Sequence, residues 1–318
     1  MKKNISFLSV GNHFKKNILP VLNSNPEINV KGIFTRNHKN RRSLCSELGC
    51  NEYSSYEDLL SDKECENVYI SSPNATHFNQ IVDCLKSNKN VLVEKPAITD
   101  VNQYKKIESI AHKKNVFFME AFMYRFHNQF SELQNIINQG DFGSTKFAQF
   151  DFGFPHLNDN NFRYSRKLKG GALFDAGAYT LSCPKELFSK KPKLIGAKIF
   201  QETGFDVDTG GSALLDFESF TSQSNWFFGA TYQNSAKVWF NDAFLIADMF
   251  FSKPANSKSN IKIFRNYELI DEIDIKDNNH FESMFKYFLN NTKSQQAEEM
   301  LRVKNNIELI QQVSSFAK

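Results

Sequence analysis

The first 120 residues alternate short apolar runs with segments of helical periodicity, and this alternation constrains the fold more than any other feature. Strands are predicted at 5–10, 30–35, 67–71, 90–93 and 116–119, and helices at 15–24, 37–48, 75–87 and 101–114. Strands joined by helices form a parallel sheet that is covered by helices on both faces. Residues 1–120 are therefore predicted to form a doubly wound α/β domain, with its ligand crevice at the carboxyl ends of the strands.

After residue 120 the pattern changes to Phe-rich stretches in which apolar and polar positions alternate. Strands are predicted at 146–154, 212–217, 224–232, 237–240, 244–250 and 261–265, and helices at 128–139, 280–290 and 297–315. Residues 121–318 are thus predicted to be an α+β domain built on a large, mostly antiparallel sheet with one uncovered face. Most rings of the stripe Phe147, Phe150, Phe152 and Phe154 should be core, and the uncovered face is predicted to form a dimer or larger homo-oligomer.

Length and composition exclude several classes of protein. A chain of 318 residues has room for about two domains. Its 39 Lys and Arg residues against 35 Asp and Glu give a net charge of +4, which is too small and dispersed to indicate a nucleic-acid partner. The five cysteines form no CxxC pair, which favours a reducing compartment and disfavours a metal site or a disulfide framework. Because no apolar run reaches the roughly 18 residues of a membrane span, a cytoplasmic protein without a membrane partner is predicted.

The turn Ser9-Val-Gly-Asn-His-Phe14 follows the first strand, where dinucleotide-binding folds carry G-x-G-x-x-G. Gly11 keeps the middle glycine, which lets the backbone approach a pyrophosphate, and the next helix begins with free N–H groups. Ser9, Gly11, Asn12, His13 and Phe14 are therefore candidate cofactor contacts. The alternative is an ordinary strand-to-helix turn with a permissive glycine, and the motif alone does not decide between the two.

The second strand ends in Thr35-Arg36, without the acidic residue that usually binds the ribose hydroxyls of NAD. A hydroxyl followed by a guanidinium suits a 2′-phosphate, so NADP is favoured over NAD. Lys39, Arg41 and Arg42 add positive charge nearby, although a basic helix start that faces solvent is the alternative.

Ser72-Pro73-Asn74-Ala-Thr-His77 follows the third strand and is predicted to be a crevice loop. Pro73 fixes the turn and Asn74 is predicted to cap the next helix. His77 is either a ligand contact or a histidine packed on the face of that helix.

Two further segments carry groups suited to proton transfer. Glu94-Lys95-Pro96 places a lysine at the sheet edge, where it can bond a ribose or substrate hydroxyl and lower the pKa of a neighbouring acid. Asp175 and Tyr179 are four residues apart, and on a helix they share one face. A tyrosine beside a lysine cation is a credible proton donor to a ketone oxygen. The alternatives are a solvated lysine, and a Tyr and Asp that serve packing and capping.

Together these segments resemble the glucose-fructose oxidoreductase, inositol dehydrogenase and rhizopine-catabolism (Gfo/Idh/MocA) family. The likeness rests, in chain order, on residues 72–77, 93–96, 119–127, 162–163 and 171–179. It implies an N-terminal NAD(P)-binding Rossmann domain and a C-terminal domain whose open sheet face often mediates dimer contacts. Residues 119–127 look most like the dihydrodiol dehydrogenase branch, and the C-terminal half resembles the nucleotide-sugar 3-ketoreductases.

The resemblance also implies roles for single residues. Lys95 would lie near the nicotinamide, Tyr179 would move the proton, and Asp175 would orient the substrate together with Arg125 and Arg163. Ser72, Pro73, Asn74, His77 and Glu94 would contact the cofactor. The chain departs from the family pattern at three places: it has Ser9 and Phe14 for glycine or alanine, Lys169 for a third glycine, and no proline near Asn128. Many members have histidine where this chain has Tyr179, and either side chain can move a proton. The bulk of Phe14, where the helix should approach the strand, predicts weaker cofactor binding.

The leading hypothesis is an NADPH-dependent oxidoreductase that transfers a hydride between the nicotinamide and a ring ketone or hydroxyl of a sugar, most simply a nucleotide sugar. A sugar, polyol or dihydrodiol dehydrogenase would use the same residues. A third hypothesis, from another class, is a nucleotide-binding regulatory protein without redox turnover, which the reduced glycine fingerprint suggests. The joint presence of Glu94, Lys95, Asp175 and Tyr179 argues for an enzyme.

Overall fold

The computed structural model describes residues 2–158, 160–254 and 257–317. Two compact units are present, one formed by Met1–Ala121 and Phe281–Ile307, the other by Phe122–His280 and Glu308–Lys318. The division into domains 1–120 and 121–318 stays a prediction of where the sequence pattern changes, and the first unit additionally takes in residues 281–307.

The first unit is built on a six-stranded parallel sheet in the order β3-β2-β1-β4-β5-β6. Its strands are β1 Lys3–Leu8, β2 Ile28–Phe34, β3 Asn51–Glu52, β4 Asn67–Ile70, β5 Asn90–Glu94 and β6 Phe118–Ala121. The intervening helices are α1 Leu19–Ser24, α2 His38–Leu48, α3 Tyr56–Ser61, α4 Asn74–Lys86 and α5 Val101–Lys114. The predicted doubly wound sheet is confirmed. β3 and α3 were not predicted, although a capping box of Ser55 and Asp58 marks the start of α3.

The second unit is built on an eight-stranded sheet in the order β14-β13-β12-β11-β7-β10-β9-β8. Its strands are β7 Thr145–Phe154, β8 Lys193–Phe200, β9 Gly210–Asp216, β10 Thr221–Phe228, β11 Gln233–Phe240, β12 Phe244–Asp248, β13 Ser259–Arg265 and β14 Glu268–Ile275. Its helices are α6 Asn128–Gln139 and α7 Ala178–Phe188. Of the last two helices, α8 His280–Leu289 from Phe281 onward and α9 Lys293–Phe316 up to Ile307 are counted with the first unit. Neighbouring strands are antiparallel except β7 and β10, which run parallel, so the mostly antiparallel sheet is confirmed.

One face of this sheet is packed, as the alternation predicts. Along β10 every second residue is buried, and Trp226 is fully buried. In the phenylalanine stripe Phe150 and Phe152 are core, whereas Phe147 lies on the other face beside Trp239, with ring centroids 5.8 Å apart. Phe154 is only half-buried. The stripe therefore divides between both faces, because side chains alternate along a strand.

Three further observations concern the described residues only. No helix among them is long and apolar enough to cross a membrane. No group of three or more His, Cys, Asp or Glu side chains in these ranges is arranged to hold a metal ion. All five cysteines are free thiols.

Candidate active site

In the first unit the strand order reverses between β1 and β4, the place where open α/β sheets bind ligands. The turn after β1 and the loop after β4 are tied together there. The Ser71 N–H donates to the Leu8 carbonyl at 3.1 Å, and the Ser71 hydroxyl donates to the Ser9 carbonyl at 2.5 Å. The two predicted crevice segments are thus brought together at one edge of the sheet.

The turn after β1 keeps the shape of a phosphate-binding turn despite having one glycine. Ser9 has φ +67°, in the left-handed region that glycine usually occupies. A Cβ atom placed on Gly11 would meet no protein atom within 4 Å. Packing therefore does not require glycine at this position, and Gly11 is exposed to solvent. A π-helical turn, Phe14–Ile18, begins directly afterwards, and such turns are frequent at functional sites.

Phe14 belongs to the core of the first unit. Its side chain is fully buried and meets Phe7 edge-on, with ring centroids 5.0 Å apart. A contact between Phe14 and a cofactor is therefore confined to the backbone. The Phe14 side chain was expected to crowd the helix against the strand. Its ring is accommodated because it fills space in the core beside β1.

Arg36 and Arg41, which follow β2 and were considered together in the sequence, have different surroundings. Arg36 is exposed. Arg41 is buried, donates from Nε to Glu52 Oε1 at 2.9 Å and from Nη1 to the Thr35 carbonyl at 3.3 Å, and lies 5.7 Å from the centroid of the Phe34 ring. Arg41 thus serves the structure of the first unit, since its guanidinium is bonded to Glu52 and to the Thr35 carbonyl. Thr35 is itself buried.

His77 is fully buried and faces two carbonyl groups. Nδ1 lies 2.9 Å from the Pro96 oxygen and Nε2 lies 2.7 Å from the Ser72 oxygen, and burial lowers the pKa of His77. The side chain joins the loop after β4 to the segment after β5, and it has no exposed surface for a ligand. The structural interpretation of His77 is therefore the right one, since both ring nitrogens are used inside the protein.

Asn74 does not cap α4, contrary to prediction. It is the first residue of the helix, and Pro73 occupies the N-cap position without a side-chain hydrogen bond. The Thr76 N–H donates to the Pro73 carbonyl at 2.9 Å, and the Thr76 hydroxyl donates to Ser72 Oγ at 2.8 Å. The loop is therefore ordered by backbone and hydroxyl bonds.

Glu94 is engaged within the protein. Its Oε1 lies 3.1 Å from His13 Nε2 and also accepts a hydrogen bond from the Tyr69 hydroxyl. Burial acts to raise the pKa of Glu94, but His13 and Tyr69 lower it below its usual value, so the carboxylate is ionised. Glu94, at the end of β5, thus links His13 in the turn after β1 to Tyr69 on β4. The sequence did not reveal the contact with Tyr69.

Lys95 follows Glu94 and is half-buried, and the Lys95–Pro96 peptide bond is cis. The residues after it are held by Glu120, whose Oε1 accepts the Ala97 N–H at 2.8 Å. Sequence reasoning missed Glu120, although a lone acid in the apolar strand β6 is a signal, since buried carboxylates need partners. The lysine thus lies on a segment that is fixed on both sides.

In the second unit Asp175 and Tyr179 lie on one continuous helix. A π-helical turn, Leu173–Gly177, runs directly into α7. Asp175 is buried, and its Oδ2 accepts a hydrogen bond from Arg163 Nε at 2.5 Å. Burial acts to lower the pKa of Arg163, but Asp175 raises it above its usual value, so the guanidinium is charged. Arg163 also lies over the Phe162 ring, 4.8 Å from its centroid.

Tyr179 lies in an aromatic cage and is 5% exposed. Its hydroxyl donates to the Met123 sulfur at 3.4 Å. Four rings surround it at centroid distances of 5.4 to 6.1 Å, those of Phe122, Tyr124, Phe152 and Phe251. Sequence reasoning did not identify Phe122, Met123 or Phe251, which surround the phenol and keep its environment apolar.

Arg125 belongs to a short 3-10 turn, Met123–Phe126. It is half-buried, and its guanidinium lies 5.3 Å from the centroid of the Phe126 ring. Like Arg163, it is a cation held against a ring, which limits its conformations and suits a residue that recognises an anionic or hydroxylated ligand.

Two family models match the chain. Residues 3–122 match the model described as an oxidoreductase family with an NAD-binding Rossmann fold, and residues 130–245 match the GFO/IDH/MocA C-terminal domain. Between them they cover most of both predicted domains.

Curated relatives are sugar reductases and diol dehydrogenases. A dTDP-3,4-didehydro-2,6-dideoxy-alpha-D-glucose 3-reductase of Saccharopolyspora spinosa is 25% identical over 261 residues, which is 82% of this chain and 78% of the relative. A trans-1,2-dihydrobenzene-1,2-diol dehydrogenase of Xenopus laevis is 35% identical over 167 residues, which is 52% of this chain and 50% of the relative.

Solved structures share the fold over the whole chain. KijD10, a 3-ketoreductase from Actinomadura kijaniata in complex with NADP and TDP-benzene, superposes with a TM-score of 0.93 at 22% identity, covering 99% of this chain and 98% of that one. An aldose-aldose oxidoreductase from Caulobacter crescentus, complexed with glycerol, gives 0.87 at 16% identity, with 100% and 98% covered. At these identities the likeness establishes the architecture of both sheets.

Proposed function

The chain belongs to the Gfo/Idh/MocA family of oxidoreductases, and from that premise we propose that it is an NADP-dependent ketoreductase of nucleotide sugars. The observation that carries the proposal is the helix on which a caged phenol, Tyr179, follows an anchored carboxylate, Asp175. A proton donor and a hydroxyl-binding acid are what ketone reduction at a sugar ring requires. The relatives that reduce dTDP-linked ketosugars support this substrate class.

Each group has a part in the reaction. NADP, when bound, supplies the hydride that adds to the ketone carbon. The turn around Gly11 and the N–H groups of the following helix bind the diphosphate, and Arg36 pairs with the 2′-phosphate. Lys95 holds the nicotinamide ribose and polarises the carbonyl, and Asp175 accepts a bond from a substrate hydroxyl. Tyr179 gives its proton to the ketone oxygen as the C–H bond forms, and the product is the alcohol.

A second candidate is the oxidation of a trans-dihydrodiol with NADP⁺, which runs the same steps in reverse. The 35% identity with a dihydrodiol dehydrogenase over half of the chain favours it. The regulatory alternative is less well supported, because a protein that only binds a nucleotide has no need of Glu94, Lys95, Asp175 and Tyr179 together.

Titration calorimetry with NADPH and with NADH tests the cofactor. We expect wild type to prefer NADPH, and Arg36→Ala to lose that preference by about tenfold or more, because a guanidinium–phosphate pair is charge-assisted. Arg265→Ala is the control, since Arg265 is an exposed arginine on β13 of the second unit and is expected to leave both affinities unchanged. Equal affinity of wild type for both cofactors would refute the assignment to NADP. Failure to bind either would favour the regulatory protein.

Turnover is measured through the nicotinamide absorbance, with a dTDP-linked 3-ketosugar and NADPH, and separately with a trans-dihydrodiol and NADP⁺. Tyr179→Phe and Lys95→Met are expected to lower kcat by about a hundredfold or more, as loss of a proton donor does. NADPH binding by Tyr179→Phe should stay unchanged. Tyr267→Phe is the matched control, since Tyr267 is fully exposed in the β13–β14 turn. Wild-type turnover in both site variants would overturn the proposed roles.

We also propose that the uncovered face of the eight-stranded sheet joins two copies of the chain. Trp239 is 53% exposed on this face, close to the half-buried Phe147. The face also has a polar centre, because Asp151 Oδ2 accepts a bond from Lys237 Nζ at 3.1 Å. An apolar surface with a polar centre suits a two-fold interface between identical chains.

The free thiols suit the reducing cytoplasm that we propose as the location.

A further inference from the structure

The first residues of the helix that carries Asp175 and Tyr179 are held by Asp208, which belongs to none of the sequence motifs. Asp208 lies between β8 and β9, and its Oδ2 accepts the Leu173 N–H at 2.6 Å. Its backbone carbonyl accepts the Ala172 N–H at 3.0 Å. The first N–H groups of a helix have no partner within the helix, so two of them are satisfied here by one residue about 35 positions away.

The two glycines before this helix lie where no side chain would fit. Gly171 has φ +110°, and a Cβ atom on it would lie 2.2 Å from Asp208 Oδ1. A Cβ atom on Gly170 would lie 2.2 Å from the Arg163 carbonyl oxygen. The Gly171 N–H donates to that same carbonyl at 2.8 Å. The chain therefore passes between Arg163 and Asp208 with no room for a side chain at either glycine.

These contacts give Asp175 two independent supports within the second unit. Arg163 holds the Asp175 carboxylate directly through Nε, at 2.5 Å. Asp208 holds the backbone two residues earlier, at Leu173. The Asp175 N–H in turn donates to the Gly171 carbonyl at 3.2 Å. The direction in which the first helical turn presents Asp175 thus depends on Asp208 as well as on Arg163.

We propose that Asp208 is a positioning residue for the reaction, which fixes the start of the helix so that Asp175 meets the substrate hydroxyl. This inference rests on the proposed function. Asp208 acts through the Leu173 N–H and contacts neither reacting group, so its removal should lower kcat and leave cofactor affinity unchanged. Burial raises the pKa of Asp208 to about 6, and a carboxylate kept where burial disfavours its charge is typical of functional regions.

The test compares four variants of the full chain. Asp208→Ala removes the acceptor, Asp208→Asn keeps an oxygen of the same reach, and Asp208→Glu keeps the charge but moves the oxygen by one methylene. Asp206→Ala is the matched control, because Asp206 is an exposed neighbour that bonds Arg166 through its backbone oxygen. The measurements are kcat and KM for the ketosugar, Kd for NADPH, and amide hydrogen exchange over residues 172–177.

We expect Asp208→Ala and Asp208→Glu to lower kcat by about tenfold or more, as small misplacements of catalytic groups do. Both should also speed exchange at residues 172–177 without changing the Kd for NADPH. Asp208→Asn should return kcat to within about threefold of wild type, because its amide oxygen accepts the same N–H. If Asp208→Ala does not fold, the contrast between Asn and Glu decides. Wild-type kcat in Asp208→Glu, or no rescue by Asn, would overturn the proposal.

The exchange measurement separates this inference from the proposed function. A wild-type protein that reduces no ketosugar would refute the function. Unchanged exchange at residues 172–177 in Asp208→Ala would refute the support by Asp208, whatever the substrate.

Discussion

Restoring glycine at position 14 is predicted to damage the first unit and to leave cofactor binding no tighter. Phe14→Gly recreates the third glycine of the fingerprint but removes a fully buried ring that meets Phe7 at 5.0 Å. Deleting a buried phenylalanine side chain costs about 3–5 kcal/mol, and glycine inside a helical turn adds about 1 kcal/mol. The expected loss of about 4–6 kcal/mol is comparable to the whole stability of many domains.

Ser9→Gly is the matched substitution at the first glycine position. Ser9 has φ +67°, a conformation that costs a side-chain-bearing residue about 1–2 kcal/mol. Replacing Ser9 with glycine relieves this cost. Glycine is also more flexible in the unfolded chain, which lowers the gain in stability by about 0.5–1 kcal/mol. Ser9→Gly should therefore raise the free energy of unfolding by at most about 1.5 kcal/mol, with the N–H of residue 9 still bonded to the Phe34 carbonyl at 2.8 Å.

Equilibrium unfolding in urea measures both changes. Trp226 and Trp239 belong to the second unit, so far-ultraviolet circular dichroism must accompany tryptophan fluorescence to follow the first. NADPH titration of each folded variant completes the comparison. A Phe14→Gly protein within about 1 kcal/mol of wild type that binds NADPH more tightly would refute the assignment of Phe14 to the core.

Three further substitutions have expected outcomes. Arg41→Ala should destabilise the protein by about 1–3 kcal/mol in the same urea experiment, because it removes a buried guanidinium that bonds Glu52 and the Thr35 carbonyl; an unchanged midpoint would contradict the structural role. Burial holds the pKa of Asp208 at about 6, above its ordinary 3.8, so ionised Asp208 disfavours the folded state and wild-type stability should fall as pH rises from about 4 to 6. Asp208→Asn should then have a higher free energy of unfolding than wild type at pH 7, by at most about 3 kcal/mol, and an equal one at pH 3; a lower free energy of unfolding at pH 7 would be the contrary result. Trp239→Asp should convert a dimer to a monomer in light scattering, whereas Phe316→Asp, at an exposed position on α9, should not; a wild-type monomer would exclude the interface.

Sequence periodicity predicted the central strands of both sheets and missed strands at their edges. β3, β8 and β14 were not predicted, and each lies at the edge of its sheet. β14, Glu268–Ile275, is exposed at almost every position. Because it has no buried face, its apolar and acidic residues do not follow the regular alternation that marks a half-buried strand. Edge strands keep charges and short lengths that limit aggregation, and these same features weaken the pattern.

At the site, motifs located residues but not the partners of their side chains. His77 and Arg41 were placed on the correct helices, α4 and α2, yet their ring nitrogens and guanidinium are used within the first unit. Whether a polar side chain faces a ligand or a carbonyl depends on how distant segments pack, which local spacing does not report. Glu120 and Asp208 were missed for the same reason, although a lone acid in an apolar or glycine-rich setting is a signal worth following.

The single parallel pair within the eight-stranded sheet, β7 beside β10, has a consequence for how such a protein can change its substrate. Parallel neighbours cannot be joined by a hairpin, so the chain must make a long excursion between them. Arg163, Asp175 and Tyr179 all lie on that excursion, before β8 begins. The stretch between β7 and β8 therefore carries three of the proposed site residues without contributing a strand to the sheet. Grafting it from a relative of different specificity should alter the substrate that is accepted while β7, β10 and β11 keep their register.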